Sequence, residues 1–313
     1  MIGFAAKRIA ATAPVLVLVA VFVFLLLRLA PGDPAAIIAG EQATPEQILA
    51  IRQKLGLDAP LLSQFASWIG QLALGDLGQS IFSGLPVSEL IAQRLQPTLM
   101  LAMATIIFAV LIAIPLGVIA AKRAGSLIDR MTMAGAVLGF STPVFVIAFL
   151  LVYIFALSFR LFPTQGYVPL EQGVLASLHS LVLPALALSW TYIALIARVT
   201  RAAVLDVLQE DYVRTAHAKG LSEARIMSRH VLKNAAAPVI TVIGIGLAAL
   251  LGGVVVTETV FSIPGLGRLT ADAILRRDYP VVQALILLFS VVYVLANLIV
   301  DLSYGLVDPR VRA

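Results

Sequence analysis

Long apolar runs alternate with shorter polar stretches along this chain, and the alternation predicts its elements. Residues 9–29 form the first run, preceded by Lys7 and Arg8. At about 20 residues it is long enough to cross a bilayer as an α-helix. A signal peptide is the rival reading, but the run is too long for a typical signal core and no A-x-A site follows it. Further runs at about 98–121, 131–157, 179–198, 236–258 and 283–304 predict five more spans, six in all. Pro143 inside the third run, after Ser141 and Thr142, predicts a kink in which the two hydroxyls satisfy freed carbonyls.

Residues 31–97 are mixed and polar enough to leave the membrane. Pro31-Gly32-Asp33-Pro34 reads as a turn. Thr44-Pro45-Glu46-Gln47 supplies an N-cap, a proline at the first helical position and a capping-box Gln, so a short helix is expected up to Gly56. Leu61, Leu62, Phe65, Trp68, Ile69 and Leu72 share one broad face of a second helix, which ends near Gly75-Asp76-Leu77-Gly78. The segment is thus a small external helical subdomain. Residues 158–178 and 259–282 are expected as outer loops, 199–235 as a long inner loop, and 305–313 as a tail.

Composition sharpens this picture. The 313 residues are 60% hydrophobic and only 12% charged, with mean hydropathy +1.01. A soluble domain carries about twice that charge, so the chain is an integral membrane protein. The sequence pI of 9.7 needs no nucleic acid, because basic residues gather on the cytoplasmic side of membrane proteins. Lys7, Arg8, Lys122, Arg123, Arg130, Arg198, Arg201 and the basic residues of 199–235 fall on one side. The longer segments of the other side hold fewer, among them Arg52, Lys54, Arg160, Arg276 and Arg277. Both termini and the central loop are therefore expected in the cytoplasm. There is no cysteine, and so no disulfide or thiolate chemistry.

The central stretch Asp211-Tyr212-Val213-Arg214-Thr215-Ala216-His217-Ala218-Lys219-Gly220-Leu221 is the longest charged segment. It reads as helix, break, helix. Gly220 suits a position needing φ > 0 after a helix, His217 and Lys219 meet the negative helix end, and Ser222 is placed to cap the next helix, with Glu223 in its first turn. Such a helix outside the membrane suits a soluble partner. In the plainer reading the loop only anchors orientation, with Arg225, Arg229 and Lys233 on one face against lipid phosphates. Its length, about three times what a connection needs, speaks against that.

Other constellations are weaker. Pro264-Gly265-Leu266-Gly267 is a tight turn and not a phosphate loop, since no Lys-Ser/Thr follows. Glu258 lies at the outer end of the fifth span, where an ionisable group is a functional candidate; a plain ion pair with Arg268 is the alternative. Asn297, Asp301 and Tyr304 share a face of the sixth span, as packing contacts or a proton relay. Gly139-Phe140-Ser141 lacks the G-x-S-x-G pattern, and no metal-binding, catalytic or Walker-type motif is present. Any ATP coupling must come from a partner.

With these residues in view, the chain resembles the permease subunits of binding-protein-dependent ABC importers, most of all the B-type subunits of the dipeptide, oligopeptide, glutathione and nickel systems. The resemblance covers essentially the full length. It runs through Arg28-Leu29-Ala30-Pro31-Gly32-Asp33-Pro34-Ala35, Leu55-Gly56-Leu57-Asp58, Gly75-Asp76-Leu77-Gly78 and Ser141-Thr142-Pro143-Val144-Phe145. It continues through Glu210 to Gly220, Glu258 to Gly267, Arg277-Asp278-Tyr279-Pro280-Val281, Asn297 to Leu302, and Asp308-Pro309-Arg310. The central loop corresponds to the family's EAA motif, whose helix docks in a cleft of the ATPase. Ala216 and Gly220 match that motif. Arg214 and Thr215 replace its Glu and Ala, as the peptide-type subfamily does, and His230 and Lys233 depart from its Ile and Pro.

The resemblance implies an all-α fold of six membrane helices, the type I importer permease fold, in a bacterial inner membrane. It implies a second, C-type permease subunit, two ABC ATPase subunits holding ATP and Mg, and an extracytoplasmic solute-binding protein. The chain itself would hold no cofactor, and peptides would be the cargo. Asp211, Tyr212, Arg214, Thr215, Ala216, Lys219, Gly220 and Leu221 would form the ATPase-coupling loop. Ser141, Thr142, Pro143 and Glu258 are candidates for the translocation path or gate, and Arg276 and Arg277 for docking the binding protein. The rival class is a secondary transporter driven by an ion gradient, which calls for related repeats and intramembrane charges. The two halves show no convincing repeat, and the few charges sit at span ends. A membrane scaffold without transport is a third reading, opposed by the length of the central loop.

Overall fold

The computed structural model describes residues 2–29, 34–39, 43–54 and 56–307. The Pro31-Gly32-Asp33 turn, Leu55 and Asp308-Pro309-Arg310 lie outside the described residues, as do the side chains of Asp301 and Tyr304. The helices are α1 (Ile2–Leu29), α2 (Pro34–Ala39), α3 (Pro45–Lys54), α4 (Leu61–Ala73), α5 (Val87–Lys122), α6 (Leu127–Ser141) and α7 (Val144–Leu151), which continues as a π-helix, Val152–Ser158. After a short 3-10 turn at Leu170–Gln172 come α8 (Val174–Leu208), α9 (Asp211–Ala218), α10 (Glu223–Arg225) with a π segment Ile226–Val231, α11 (Leu232–Val260), α12 (Leu266–Arg276) and α13 (Tyr279–Val307). Among the described residues the only β-type pairing is an isolated bridge between Gln79 and Pro86. The fold is all-α, and each predicted span falls on a long helix or, for the third, on α6 and α7.

The chain divides into two compact units. One comprises Met1–Arg8, Arg94–Arg268 and Val292–Ala313. Its post is α8, fifteen of whose residues are buried. Small residues let neighbours close on that post, as is usual where helices pack in a bilayer. A Cβ on Gly117 of α5 would lie 2.7 Å from the Ala197 carbonyl oxygen, and one on Gly139 of α6 would lie 2.7 Å from Ala194 Cβ. The apolar core here gathers Leu101, Ala148, Leu181, Leu188, Phe261 and Ile263.

The third span differs from its expectation. In place of one kinked helix, α6 and the α7 segment are bent by 108°. The cause is local. The residue before a proline is pushed out of the α region, so Thr142 is extended (φ −96°, ψ 121°), and Pro143 follows at φ −59°, ψ 141°. Two non-helical residues in succession turn the chain far more than a proline inside one helix does. The hydroxyls fold back, Ser141 Oγ donating to the Val137 carbonyl at 3.0 Å and Thr142 Oγ1 to that of Leu138 at 2.8 Å. The Leu138 carbonyl also takes the Thr142 N–H at 3.0 Å, so the hydroxyls reinforce the last turn of α6 and do not take over the Gly139 carbonyl that Pro143 leaves free.

The other unit comprises Ile9–Gln93 and Leu269–Val291. The capping box forms there, with Thr44 N–H donating to Gln47 Oε1 at 2.9 Å and Gln47 N–H to Thr44 Oγ1 at 3.4 Å. Phe65 and Trp68 of α4 pack around Phe24 of α1, with ring centroids 5.1 and 5.7 Å from it. The apolar face of α4 is narrower than its sequence suggests, since Leu61 is 56% and Leu62 80% exposed. Both lie in the first turn of α4.

Candidate functional site

The central segment begins where α8 ends. Its first helix, α9, presses a narrow face on its own unit. Val213 and Ala216 are buried, three residues apart and so on one side of a helix. They join Ala121 of α5, Ala203 and Val204 of α8, and Ile226, Met227 and Val231 of the π segment. Asp211, Tyr212, Arg214, Thr215, Lys219 and Gly220 are exposed, and Leu221 is half-buried. The structure thus brings all eight predicted coupling residues together, with Ala216 underneath as a packing residue and the polar ones facing outward. Arg214 Nη1 donates to Asp211 Oδ1 at 3.2 Å, Thr215 Oγ1 to the Asp211 carbonyl at 2.9 Å, and Asn234 Nδ2 to Tyr212 Oη at 3.0 Å.

The break has the expected geometry. Gly220 has φ +74°. Its N–H donates to the His217 carbonyl at 2.9 Å, and Leu221 N–H to that of Ala216 at 3.3 Å. These are the paired bonds of a Schellman motif, which requires the left-handed residue in between. Ser222 takes up N-cap backbone angles (φ −64°, ψ 144°), but its side chain makes no capping bond, contrary to expectation.

His217 supplies a tie across the break. Its Nδ1 lies 2.9 Å from the Val213 carbonyl and its Nε2 lies 2.8 Å from Glu223 Oε1. Two acceptors face the two ring nitrogens, so the protonated imidazolium satisfies both. The Val213 carbonyl and, next, the Glu223 carboxylate raise the His217 pKa above its ordinary 6.5. The sequence places His217 only as a charge at a helix end; its partner six residues on is visible only once the Gly220 turn has folded. The helix after the break is an α turn followed by the π segment. Within it, Ser228 Oγ donates to the Ala224 carbonyl at 2.8 Å, an acceptor that an i→i−4 amide takes in an α-helix.

At the far end of α11, Glu258 is fully buried. Thr98 Oγ1 donates to its Oε1 at 2.6 Å, and the Arg268 backbone N–H to its Oε2 at 2.9 Å. The Leu266 N–H donates to Thr98 Oγ1 at 2.8 Å. Leu266 and Arg268 open α12, whose first N–H groups lack intrahelical acceptors. Glu258 and Thr98 therefore cap α12 from two other helices, a favourable place for a carboxylate. The expected ion pair with Arg268 is instead a bond to its main chain. The Pro264-Gly265-Leu266-Gly267 turn closes over this carboxylate: a Cβ on Gly265 would fall on the Glu258 carboxylate, and one on Gly267 would lie 2.7 Å from Val255 Cα. None of the partners of Glu258 comes from Ser141–Pro143, so those gate candidates form two separate places.

In the other unit, Arg276 and Arg277 are exposed. The Arg276 guanidinium lies 5.5 Å from the centre of the Phe82 ring. Arg277 has φ 58°. The buried carboxylate of Asp278 fixes this corner, accepting from Ser80 Oγ at 2.5 Å and from Ile81 N–H at 3.1 Å. Among the described residues no cluster of side chains suits a metal ion.

Comparison with known proteins finds matches along most of the chain. Residues 113–313 match the model of the binding-protein-dependent transport system inner membrane component, and residues 1–102 match that of the N-terminal part of such membrane components. A probable peptide ABC transporter permease of Sinorhizobium fredii is 50% identical over 98% of both chains. A putative peptide transport system permease of Brucella abortus is 44% identical, again over 98% of both. The glutathione transport system permease GsiC of Escherichia coli is 43% identical over 100% of this chain and 99% of its own. In solved structures, the inward-facing MetNI methionine ABC transporter superposes with a TM-score of 0.58 at 18% identity, covering 70% of this chain and 96% of the matched one. The fold is thus the type I importer permease fold.

Proposed function

Because the chain belongs to the family of binding-protein-dependent transport system inner membrane components, we propose that it carries peptides inward and is coupled to ATPase subunits through α9 and the Gly220 turn. As an ABC transporter permease it spans the inner membrane several times, catalyses no reaction and has no cofactor of its own. ATP and Mg are bound by two partner ATPases. A second, C-type permease completes the translocation pathway, and a solute-binding protein delivers cargo. An ion-gradient-driven carrier has no support in these relatives.

One observation carries the coupling reading. Helix α9 buries only Val213 and Ala216 and leaves Asp211, Tyr212, Arg214 and Thr215 outward, with Lys219 exposed just past its end and its exit angle set by a left-handed glycine. A helix held rigidly below and polar above presents its upper face to a protein cleft. Peptide cargo rests on the names of the relatives, which are peptide and glutathione permeases. Ser141–Pro143, at the bend of the third span, are assigned to the gate.

Both termini and the central segment are assigned to the cytoplasm, and 31–97 and the Arg276–Arg277 corner to the outer side. A reporter fused after Ala313 should be active only inside, and one inserted near Ala43 only outside; an inside signal from Ala43 would overturn the map. Purification of the intact complex should bring down ATPase subunits, and peptide uptake should need ATP and survive collapse of the ion gradient. Uptake that stops on collapse at constant ATP would defeat the reading. Charge reversal at Arg276 and Arg277 should weaken stimulation by the binding protein, more at low salt than at high, because exposed charges are screened.

A further inference from the structure

A second polar tie lies beside the central segment, in residues that no motif marks. Asp129 sits in the first turn of α6, in a stretch that also holds Lys122, Arg123 and Arg130. Its side chain is nonetheless buried, with a relative exposure of 5%. Arg201, near the end of α8, reaches it with a two-pronged contact: Nε donates to Oδ1, and Nη2 donates to Oδ2 at 2.7 Å. The Gly125 N–H donates to Oδ2 as well, at 2.9 Å. The short 123–126 connection is therefore folded around the same carboxylate that Arg201 holds.

A paired charge buried from water is weak evidence for net stability, because desolvation offsets attraction. What a planar fork on a carboxylate does supply is a fixed mutual orientation. Its location gives that orientation a use. Arg201 stands two residues before Ala203 and three before Val204, the α8 residues that share one buried apolar cluster with Val213 and Ala216 of α9 and with Ile226, Met227 and Val231 of the π segment. Asp129 is at one end of α6, and the Ser141–Pro143 bend is at the other. Helix α6 is 15 residues long, a rod of about 22 Å.

We propose that the Asp129–Arg201 pair is a positioning device that makes α6 follow the end of α8, so that a displacement delivered to α9 reaches the bend at Ser141–Pro143. The proposal rests on the coupling reading of α9. An apolar contact alone lets helices slide by small steps, whereas the fork tolerates no rotation of α6 about its axis without breaking two charged bonds. Arg201→Lys keeps the charge and loses the fork, so it should behave as a defect and not as a conservative change.

The test uses the assembled importer in lipid vesicles, with Asp129→Asn, Arg201→Gln, Arg201→Lys and the Asp129→Asn/Arg201→Gln double variant. Two quantities are read: peptide transported per ATP hydrolysed, and the mobility change on ATP trapping of a spin label at Phe145→Cys, the start of α7, in a chain with no cysteine of its own. Each single variant should retain its ATPase subunits and lower the transport ratio about tenfold, as expected for a lost charge-assisted contact. The label should lose its ATP response, and the double variant should be no worse than either single one, as for residues acting as a unit. An unchanged ratio or a surviving label response in all variants overturns the proposal while leaving the coupling reading intact. Additive defects overturn it too. Failure of the unaltered chain to retain ATPase subunits overturns the coupling reading, and the proposal with it.

Discussion

At Gly220 a Cβ would meet nothing within 4 Å, and only the backbone angle of +74° resists a side chain. At Gly265 no positive φ is involved, and the obstacle is the carboxylate of Glu258 lying where the Cβ would go. Both turns join two helices and both depend on glycine, for opposite physical reasons. The first is a demand of conformation at an open surface, where the chain needs a fixed exit angle and nothing presses on it. The second is a demand of space in a closed interior, where α12 is capped by side chains from α5 and α11. A surface turn of the first kind is free to meet a partner. A turn of the second kind holds helix ends together.

Substitutions separate the two cases, and the interior turn should give the larger effects. Gly267→Ala meets the Val255 backbone and should cost about 1–3 kcal/mol of overpacking, with a fall in membrane level and in melting midpoint. Gly265→Ala should cost at least as much, because moving Glu258 also breaks its bonds to Thr98 and Arg268. Removing the carboxylate distinguishes them. Added to Glu258→Ala, Gly265→Ala should cost almost nothing further, while Gly267→Ala should keep most of its cost. Equal behaviour of the two in that background would mean that the carboxylate is not what fills the Gly265 site.

At the open turn the order of severity is the diagnostic. Gly220→Val forces a β-branched residue into the left-handed region at a cost of about 1–2 kcal/mol or more. The expected outcome is a subunit near normal in amount that loses transport and most of its substrate-stimulated ATPase activity. Gly220→Ala should be milder and Gly220→Asn milder still, since Asn tolerates that region. A ranking by side-chain size, with Ala above Asn, would show that space rather than φ is limiting, and the contrast with Gly265 would collapse.

The smallest effect belongs to the tie across the Gly220 break. The His217 pKa is raised, so the stabilisation from its charged contacts with Val213 and Glu223 is complete below the ordinary 6.5 and fades as pH rises through the higher folded value. The melting midpoint of wild type should therefore exceed that of His217→Gln on the acidic side of this window, and the two should converge on the alkaline side. A difference that stays constant with pH would assign His217 to packing alone.

The particular elements show what can be read in advance. The Thr44–Gln47 capping box and the Gly220 helix end are local patterns of a few residues, and both form as their spacing requires. The 108° bend is less legible: Pro143 announces an interruption, but the angle depends on Thr142 also being extended. Glu258 was visible as an anomaly in an apolar stretch, yet its partners are Thr98, 160 residues away, and an amide of the turn after it. Arg201 enters the sequence reading only as one of the basic residues and Asp129 not at all, because nothing in the sequence links positions 72 residues apart.

The sequence by itself determined that this is a multi-pass, all-α membrane protein with a polar helix–glycine–helix segment between its fourth and fifth spans. Runs of apolar residues, left-handed glycines and capping boxes act through the solvent and the neighbouring few residues, so they need no knowledge of the fold. The tertiary structure alone decided which face of α9 is buried, why Gly265 and Gly267 admit no methyl, and which carboxylate takes which donor. Those outcomes depend on side chains brought together from distant helices, where desolvation makes each buried polar group require a partner that only the packed chain supplies.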